Sequence, residues 1–328
     1  MVDFFYSYVG MYAAQSFIHG VIAAVIVDRS LQAWKITSQE TAQRFRLLSI
    51  LVPVFSFPLY QMLNPDRGSI AFRLDSLFDF SRWLHLALWG KIPLGLFFVL
   101  ILLVTTVIFV LQEMAPIMRH MIDTRRPAFS EDNREDAGLV EKALEGLPGE
   151  KPDVLILNDS DPHLFSSTGR KPAIFLTSAL IRVLTPEQMQ AAIAHELAHI
   201  QRSKRPLLVI VFLLRVLMFF HPVVLLEFRR LVQGEEMICD DMAVSVTRNP
   251  HALAQALRHF YHPIDDDRPH HDKQPLRLRR KLEEHSHNLL IDHRIARLEG
   301  GLERDGGSSW IPFTLTLCVI LVINYYVV

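Results

Sequence analysis

His195-Glu196-Leu197-Ala198-His199 sets two imidazoles four residues apart with a carboxylate beside the first. On a helix that spacing puts both rings on one face, where they can bind a single Zn2+. Glu196 is then placed to take a proton from an activated water rather than to ligate. Zinc lowers the pKa of bound water towards neutrality and the carboxylate carries the proton to a leaving amine, so the pattern points to peptide-bond hydrolysis. In a chain with 15 histidines the same five residues could arise by chance on a surface helix. Ala191, Ala192, Ile193, Ala194, Leu197, Ala198 and Ile200 argue otherwise: they make the helix a buried one, and buried imidazoles need partners.

A catalytic zinc site needs a third protein ligand and an open fourth position. The run Glu235-Glu236-Met237-Ile238-Cys239-Asp240-Asp241 supplies candidates. Glu236 and Asp240 share a helix face, so Glu236 can ligate while Asp240 orients a ligand histidine. Glu235 has no carboxylate four residues on, which favours Glu236. Met237, Ile238 and Cys239 make a solvated acidic face the weaker alternative. Cys239 could ligate in principle but suits a small buried filler better.

The elements that must position these groups can be read nearby. Thr185-Pro186-Glu187-Gln188 is a helix start, with an N-cap, Pro at the first helical position and Gln closing a capping box. Val154–Leu157 and Ala173–Thr177 are short apolar or β-branched runs between turn residues, so both read as strands. A charged connector over 117–145 precedes them and ends at Gly146-Leu147-Pro148-Gly149.

Half of the 328 residues are hydrophobic while 21% are charged, and the mean hydropathy is +0.21. Apolar segments must therefore alternate with polar ones, as in a chain partly in a membrane. Four stretches are candidates for crossing a bilayer, which takes about 20 residues: Phe4 to Val27, Leu47 to Leu63 with Pro53 and Pro58 inside, Ile92 to Leu111, and Trp310 to Val328. The first lacks a basic start and a cleavage site, so it reads as a retained span. Pro206 to Phe228 is apolar too, but Arg215 at its centre and His221-Pro222 near its end suit a hairpin better than a single crossing. A hairpin also keeps His195, His199 and Glu236 on one side of the membrane. Residues 76–89 read as an aromatic helix on the outer surface, or one packed on the bundle. Arg119, Arg125 and Arg126 follow the third span while both termini lack Lys and Arg, which puts 114–308 in the cytoplasm. A net charge of −1 gives no case for nucleic acid, and the two distant cysteines, Cys239 and Cys318, give none for a disulfide framework.

From Asp159 to Asp241 the chain resembles the membrane gluzincins, the group holding the HtpX-like and CAAX-prenyl-type proteases and the BlaR/MecR-type antirepressor peptidases. Gly169-Arg170-Lys171-Pro172-Ala173-Ile174, Leu184-Thr185-Pro186-Glu187-Gln188 and His195–His199 are similar to the first branch. Phe220-His221-Pro222, Arg229-Arg230-Leu231 and Glu236-Met237-Ile238-Cys239-Asp240 are closer to the BlaR/MecR branch. The resemblance implies a mainly α membrane protein: four transmembrane helices plus a gluzincin-type α+β zinc peptidase domain with a small sheet and a membrane-associated helical hairpin. The expected domains are 1–113 with three spans, 114–308 as the cytoplasmic zinc domain including the 206–228 hairpin, and 309–328 as the fourth span. The chain stops at Val328 without the penicillin-binding domain of the BlaR/MecR sensors, so β-lactam sensing is not expected.

The resemblance implies further roles. Ala173, Ile174, Phe175, Leu176 and Thr177 would be the edge strand on which an extended substrate docks. His163, where the HtpX-like branch has Asn, would donate to a substrate carbonyl or be a plain loop histidine. His287 and Arg294 match the His and Arg that stabilise the oxyanion there, with the spacing off by one residue; a basic amphipathic helix is the alternative. From the residues themselves, the histidines between His259 and His293 could hold an extra metal, but no pair has compelling ligand spacing and a polar loop is the favoured reading.

The function expected is a zinc-dependent endopeptidase in a bacterial inner membrane, facing the cytoplasm. Its substrate would be a cytoplasmic repressor or a membrane protein, and its setting regulatory proteolysis. The alternative is a zinc-stabilised membrane signal transducer with vestigial activity, against which an intact Glu196 argues. A channel is disfavoured by spans of Leu, Val, Ile and Phe.

Overall fold

The computed structural model describes residues 4–5, 7–114, 134–148, 151–159, 162–167, 171–203, 207–261, 291–301 and 310–328. Ser7 and Ser38 cap α1 (Tyr8–Ala33) and α2 (Gln39–Leu63), each hydroxyl accepting a first-turn backbone N–H. α2 runs through Pro53 and Pro58 without ending. A 3-10 turn (Pro65–Gly68), α3 (Ile70–Asp75), α4 (Phe80–Leu84) and a hairpin of β1 (Ala87–Leu88) and β2 (Ile92–Pro93) lead into α5 (Leu94–Phe109). Next come α6 (Arg134–Glu145), β3 (Asp153–Leu157), β4 (Leu164–Ser167), β5 (Ala173–Thr177), α7 (Ser178–Val183) and α8 (Pro186–Ser203). The chain continues with α9 (Leu207–Leu217), α10 (Pro222–Thr247), α11 (Pro250–Tyr261), α12 (291–300) and α13 (Trp310–Tyr325).

Two compact units result. One contains Met1–Thr124, Pro206–Gly234 and Arg304–Val328; the other contains Arg125–Arg205 and Glu235–Glu303. The 206–228 hairpin was expected inside the zinc domain and instead belongs with the first unit. The physical reason is apolar packing: Val211, Met218, Val224 and Leu231 share a cluster with Ile50 and Val54 of α2. Where α1 meets the start of α10, Gly20 is required. A Cβ there would stand 2.8 Å from the His221 ring.

In this unit α1, α2 and the run Leu94–Gln112 are long and apolar enough to cross a bilayer. The fourth expected span, α13, is a shorter apolar helix of 16 residues. Arg215 is fully buried, with its guanidinium 4.5 Å from the Phe109 ring centroid. It donates to the Met218 and Phe219 carbonyls just past the end of α9, and the Met218 carbonyl also accepts the His221 backbone N–H at 2.9 Å. The helix break therefore serves the buried charge. A second charge cluster links three helices: Arg46 and Arg230 each bridge Asp28 and the buried Glu227.

The 76–89 segment is not the helix expected from its aromatic content. Only Phe80–Leu84 is helical, because the chain ahead of it pairs with the end of the sequence. Leu77 N–H bonds Tyr326 C=O at 2.8 Å, Val328 N–H bonds Phe78 C=O at 2.8 Å, and Phe80 N–H bonds Val328 C=O at 2.6 Å. The β1–β2 hairpin then takes up the rest.

The second unit is built on a core from α6, β5, α7, α8, α10, α11 and α12, with Ile174, Leu176, Leu180, Ile193, Leu253 and Leu298 nearly solvent-free. Its sheet has the order β3-β5-β4, with β3 parallel and β4 antiparallel to β5. Ala173–Thr177 is therefore the central strand and not an edge, a correction to the expected docking strand. Its Ile174 and Leu176 are buried, which suits a strand flanked on both sides. The outer strands are β3 and β4, and Phe165 of β4 stacks on Phe175 at 5.0 Å. Leu-Phe-Ser-Ser is too short and mixed to announce itself as a strand.

Candidate metal centre

α8 begins with the reciprocal cap expected. Gln188 N–H bonds Thr185 Oγ1 and Thr185 N–H bonds Gln188 Oε1. The capped helix buries Met189, Ala191, Ala192 and Ile193 in the core, which fixes the face that His195 and His199 share. The second half of α10 brings Glu236 to the same point. His195, His199 and Glu236 each offer a donor atom within 4.8 Å of the others.

The individual separations test whether zinc fits. The two Nε2 atoms are 3.1 Å apart, His199 Nε2 lies 3.4 Å from Glu236 Oε1, and His195 Nε2 lies 3.5 Å from Glu236 Oε2. Ligands on a tetrahedral zinc with bonds of about 2.0–2.1 Å stand roughly 3.3–3.4 Å from each other. The donor set, two imidazoles and a carboxylate, is also one that zinc accepts. Glu196, half-buried, has no hydrogen bond or ion pair among the described residues.

A supporting layer surrounds these atoms. Asp240 is fully buried, and its Oδ1 lies 3.0 Å from His195 Nδ1, off the ideal hydrogen-bond line. Arg294 of α12 grips both Asp240 oxygens at 2.7 and 2.8 Å and donates to Glu236 Oε2 at 3.0 Å. Cys239 Sγ lies 3.5 Å from His199 Nδ1, so the thiol touches the ring's far nitrogen and is more than filler. Burial, together with the Glu236 and Glu235 carboxylates, raises the Cys239 pKa and keeps it a neutral thiol.

Electrostatics bind the group together. Burial would raise the pKa of Glu236, but contacts with His195 and His199, then Arg294, hold it far below the usual carboxylate range. Burial likewise opposes charge on Asp240, and the Arg294 hydrogen bonds overcome it. For His195, burial disfavours the proton while Asp240 and Glu236 favour it more, lifting the pKa to about 9. This raised value strengthens folding of the metal-free chain fully below pH about 6.5, and the contribution fades as pH rises through about 9. Zinc must displace that proton. Its affinity is expected to rise up to about tenfold per pH unit between roughly pH 7 and 8.5. Competition with a chelating dye measures this, and a flat profile would contradict it.

Of the other expected site residues, Arg294 reaches the cluster through Asp240 and Glu236, and its Nη2 also lies 3.4 Å from His195 Nε2. His163 is exposed just before β4, held by its backbone to Thr177, and no described contact ties its ring to the cluster. His287 lies outside the described residues.

Two ion pairs escaped the sequence reading. Arg297 holds both oxygens of Asp241 at 2.7 Å, and Arg202 forms a two-pronged pair with Glu235, one prong at 2.6 Å. A signal existed for the second. Arg202 follows His195 by seven residues and so lies on the same helix stripe. Both members of that pair are buried, so Arg202→Ala takes a buried, hydrogen-bonded counter-ion from Glu235 and is expected to cost about 3–5 kcal/mol of stability. Unfolding of the solubilised chain reads this out, and a loss below about 1 kcal/mol would refute it.

Comparison with known proteins adds two findings. Residues 87–257, more than half of the chain, match the BlaR1 peptidase M56 family. A 130-residue stretch is 27% identical to plastoglobule-localized metallopeptidase 48, a chloroplastic protein of Arabidopsis thaliana. That stretch covers 37% of this chain and 38% of the relative, so the match spans well under half of either protein.

Proposed function

The chain belongs to the BlaR1 peptidase M56 family, and from that premise we propose that it is a membrane-embedded zinc endopeptidase acting in regulatory proteolysis. The observation that carries this reading is the convergence of His195, His199 and Glu236 at tetrahedral spacing beside an unengaged Glu196. A zinc ion held by those three residues would supply an activated water and a Lewis acid for the scissile carbonyl.

The chain's own groups do the rest. Glu196 takes the proton from the attacking water and hands it to the departing amine, the transfer its free carboxylate allows. Asp240 sets the ring of His195, and Cys239 contacts His199 from behind. Arg294 is a positioning residue in this reading, because its shortest contacts, at 2.7–3.0 Å, go to Asp240 and Glu236, while its Nη2 lies 3.4 Å from His195 Nε2. An extended substrate would lie along β4, the outer strand that packs on α8.

Three crossing-length helices support membrane embedding. α13, about 24 Å long at 1.5 Å per residue, is the fourth crossing in this reading, completed by the residues after it. The basic residues after the third span support a cytoplasmic site in a bacterial inner membrane, with a repressor or a membrane protein as substrate. Terminus-selective peptide mass spectrometry of membranes carrying wild type or Glu196→Gln tests this. A set of new protein termini confined to the wild type is expected; identical sets would sink the proposal.

A further inference from the structure

Between the end of α2 at Leu63 and the start of α5 at Leu94 the chain forms a cleft of about 490 Å3. Arg73 and Arg82 line it together with Leu74, Leu77, Phe78 and Trp83. We infer that this cleft is a binding site for an anionic membrane lipid, its headgroup on the two guanidinium groups and its first acyl carbons on the apolar wall.

The arginines carry the first half of the case. Among the described residues, Nε of Arg73 is buried without a hydrogen-bond partner, and Nη2 reaches the Met11 sulfur at 3.9 Å. The Arg82 side chain has no ion pair or hydrogen bond among the described residues. A buried guanidinium nitrogen left unpaired is costly, and an anion removes that cost. Asp79, the carboxylate on the cleft, accepts the Arg82 backbone N–H at 3.0 Å, and against its single negative charge Arg73 and Arg82 leave the cleft net positive.

The wall and its location carry the second half. Leu74 and Leu77 are about three-quarters and two-thirds exposed, and Trp83 stacks on Phe78 at 5.7 Å with half its surface open. The segment starts and ends at helices of crossing length and composition, so it stands at the level of the headgroups. Exposed apolar side chains are stable there and would be a liability in water. The pairing of residues 77–80 with 326–328 holds the wall in place. Free phosphate would satisfy the guanidinium groups but leave this wall uncovered, which favours an amphiphile.

Zinc and catalysis play no part in the test. The full chain with Trp83 as its one tryptophan (Trp34→Phe, Trp89→Phe, Trp310→Phe) is reconstituted in phosphatidylcholine vesicles. Brominated phosphatidylglycerol or brominated phosphatidylcholine is then titrated in over the same range of mole fractions. Half-quenching by the anionic lipid is expected at a roughly tenfold lower fraction, each arginine near the headgroups contributing several-fold. Arg73→Gln with Arg82→Gln should bring the two lipids to parity, while Arg73→Lys should keep the preference. Equal quenching by both lipids in the parent protein would overturn the assignment whatever the variants do. Relief of the quenching by millimolar inorganic phosphate alone would overturn it too, in favour of a free-anion site.

Discussion

Glu196→Gln is expected to hold as much zinc as the wild type and to lose cleavage by about 10^2–10^4-fold in kcat, the usual contribution of a positioned proton shuttle. Metal retention follows from geometry: the three donor atoms belong to other residues, and Glu196 makes no described contact with them. Loss of rate follows from chemistry, because an amide in place of the carboxylate accepts no proton. Purified chain, a chelator-sensitive peptide assay and metal analysis on the same sample measure both. Wild-type rates in the variant would remove Glu196 from the mechanism. Loss of zinc would move it from proton carrier to part of the metal site.

Glu236→Ala should have the opposite signature, losing metal and activity together. The substitution leaves two imidazoles without their carboxylate and Arg294 without its contact at 3.0 Å. The fall in zinc affinity should exceed the roughly 10–100-fold that loss of a supporting contact costs. Glu235→Ala is the control, adjacent in sequence but paired with Arg202 instead of facing the donors. It should lower stability and keep zinc. A chain that loses metal equally with either substitution would show that Glu236 is not the third ligand. Arg294→Ala should sit between them, within that 10–100-fold range, if the residue acts through Asp240 and Glu236.

The parts of this site legible in the sequence are those set by local geometry. His195 and His199 share a face because of helical spacing alone, and Thr185 with Gln188 caps that helix through contacts three residues apart. The choice of Glu236 over Glu235 rested on Asp240 four residues on, again a one-helix argument. Residues that depend on how helices meet were harder to read. Arg294 reaches Asp240 across 54 positions, and only family resemblance suggested it. β5 was expected at the sheet edge because β4 was too short to recognise, so its second neighbour went unseen. The aromatic segment at 76–89 carries a helix-like composition, yet backbone pairing with residues some 250 positions away overrides it. The break before Pro222 was legible, whereas the unit that the hairpin joins was not. That depended on which apolar surface it would cover.

Zinc K-edge X-ray absorption on the purified full chain addresses the metal centre directly. A first shell of two imidazole nitrogens and carboxylate or water oxygens, with no sulfur, is expected in the wild type and unchanged in Glu196→Gln. A zinc–sulfur distance near 2.3 Å, which would make Cys239 a ligand, or a shell unaltered in Glu236→Ala, would contradict it.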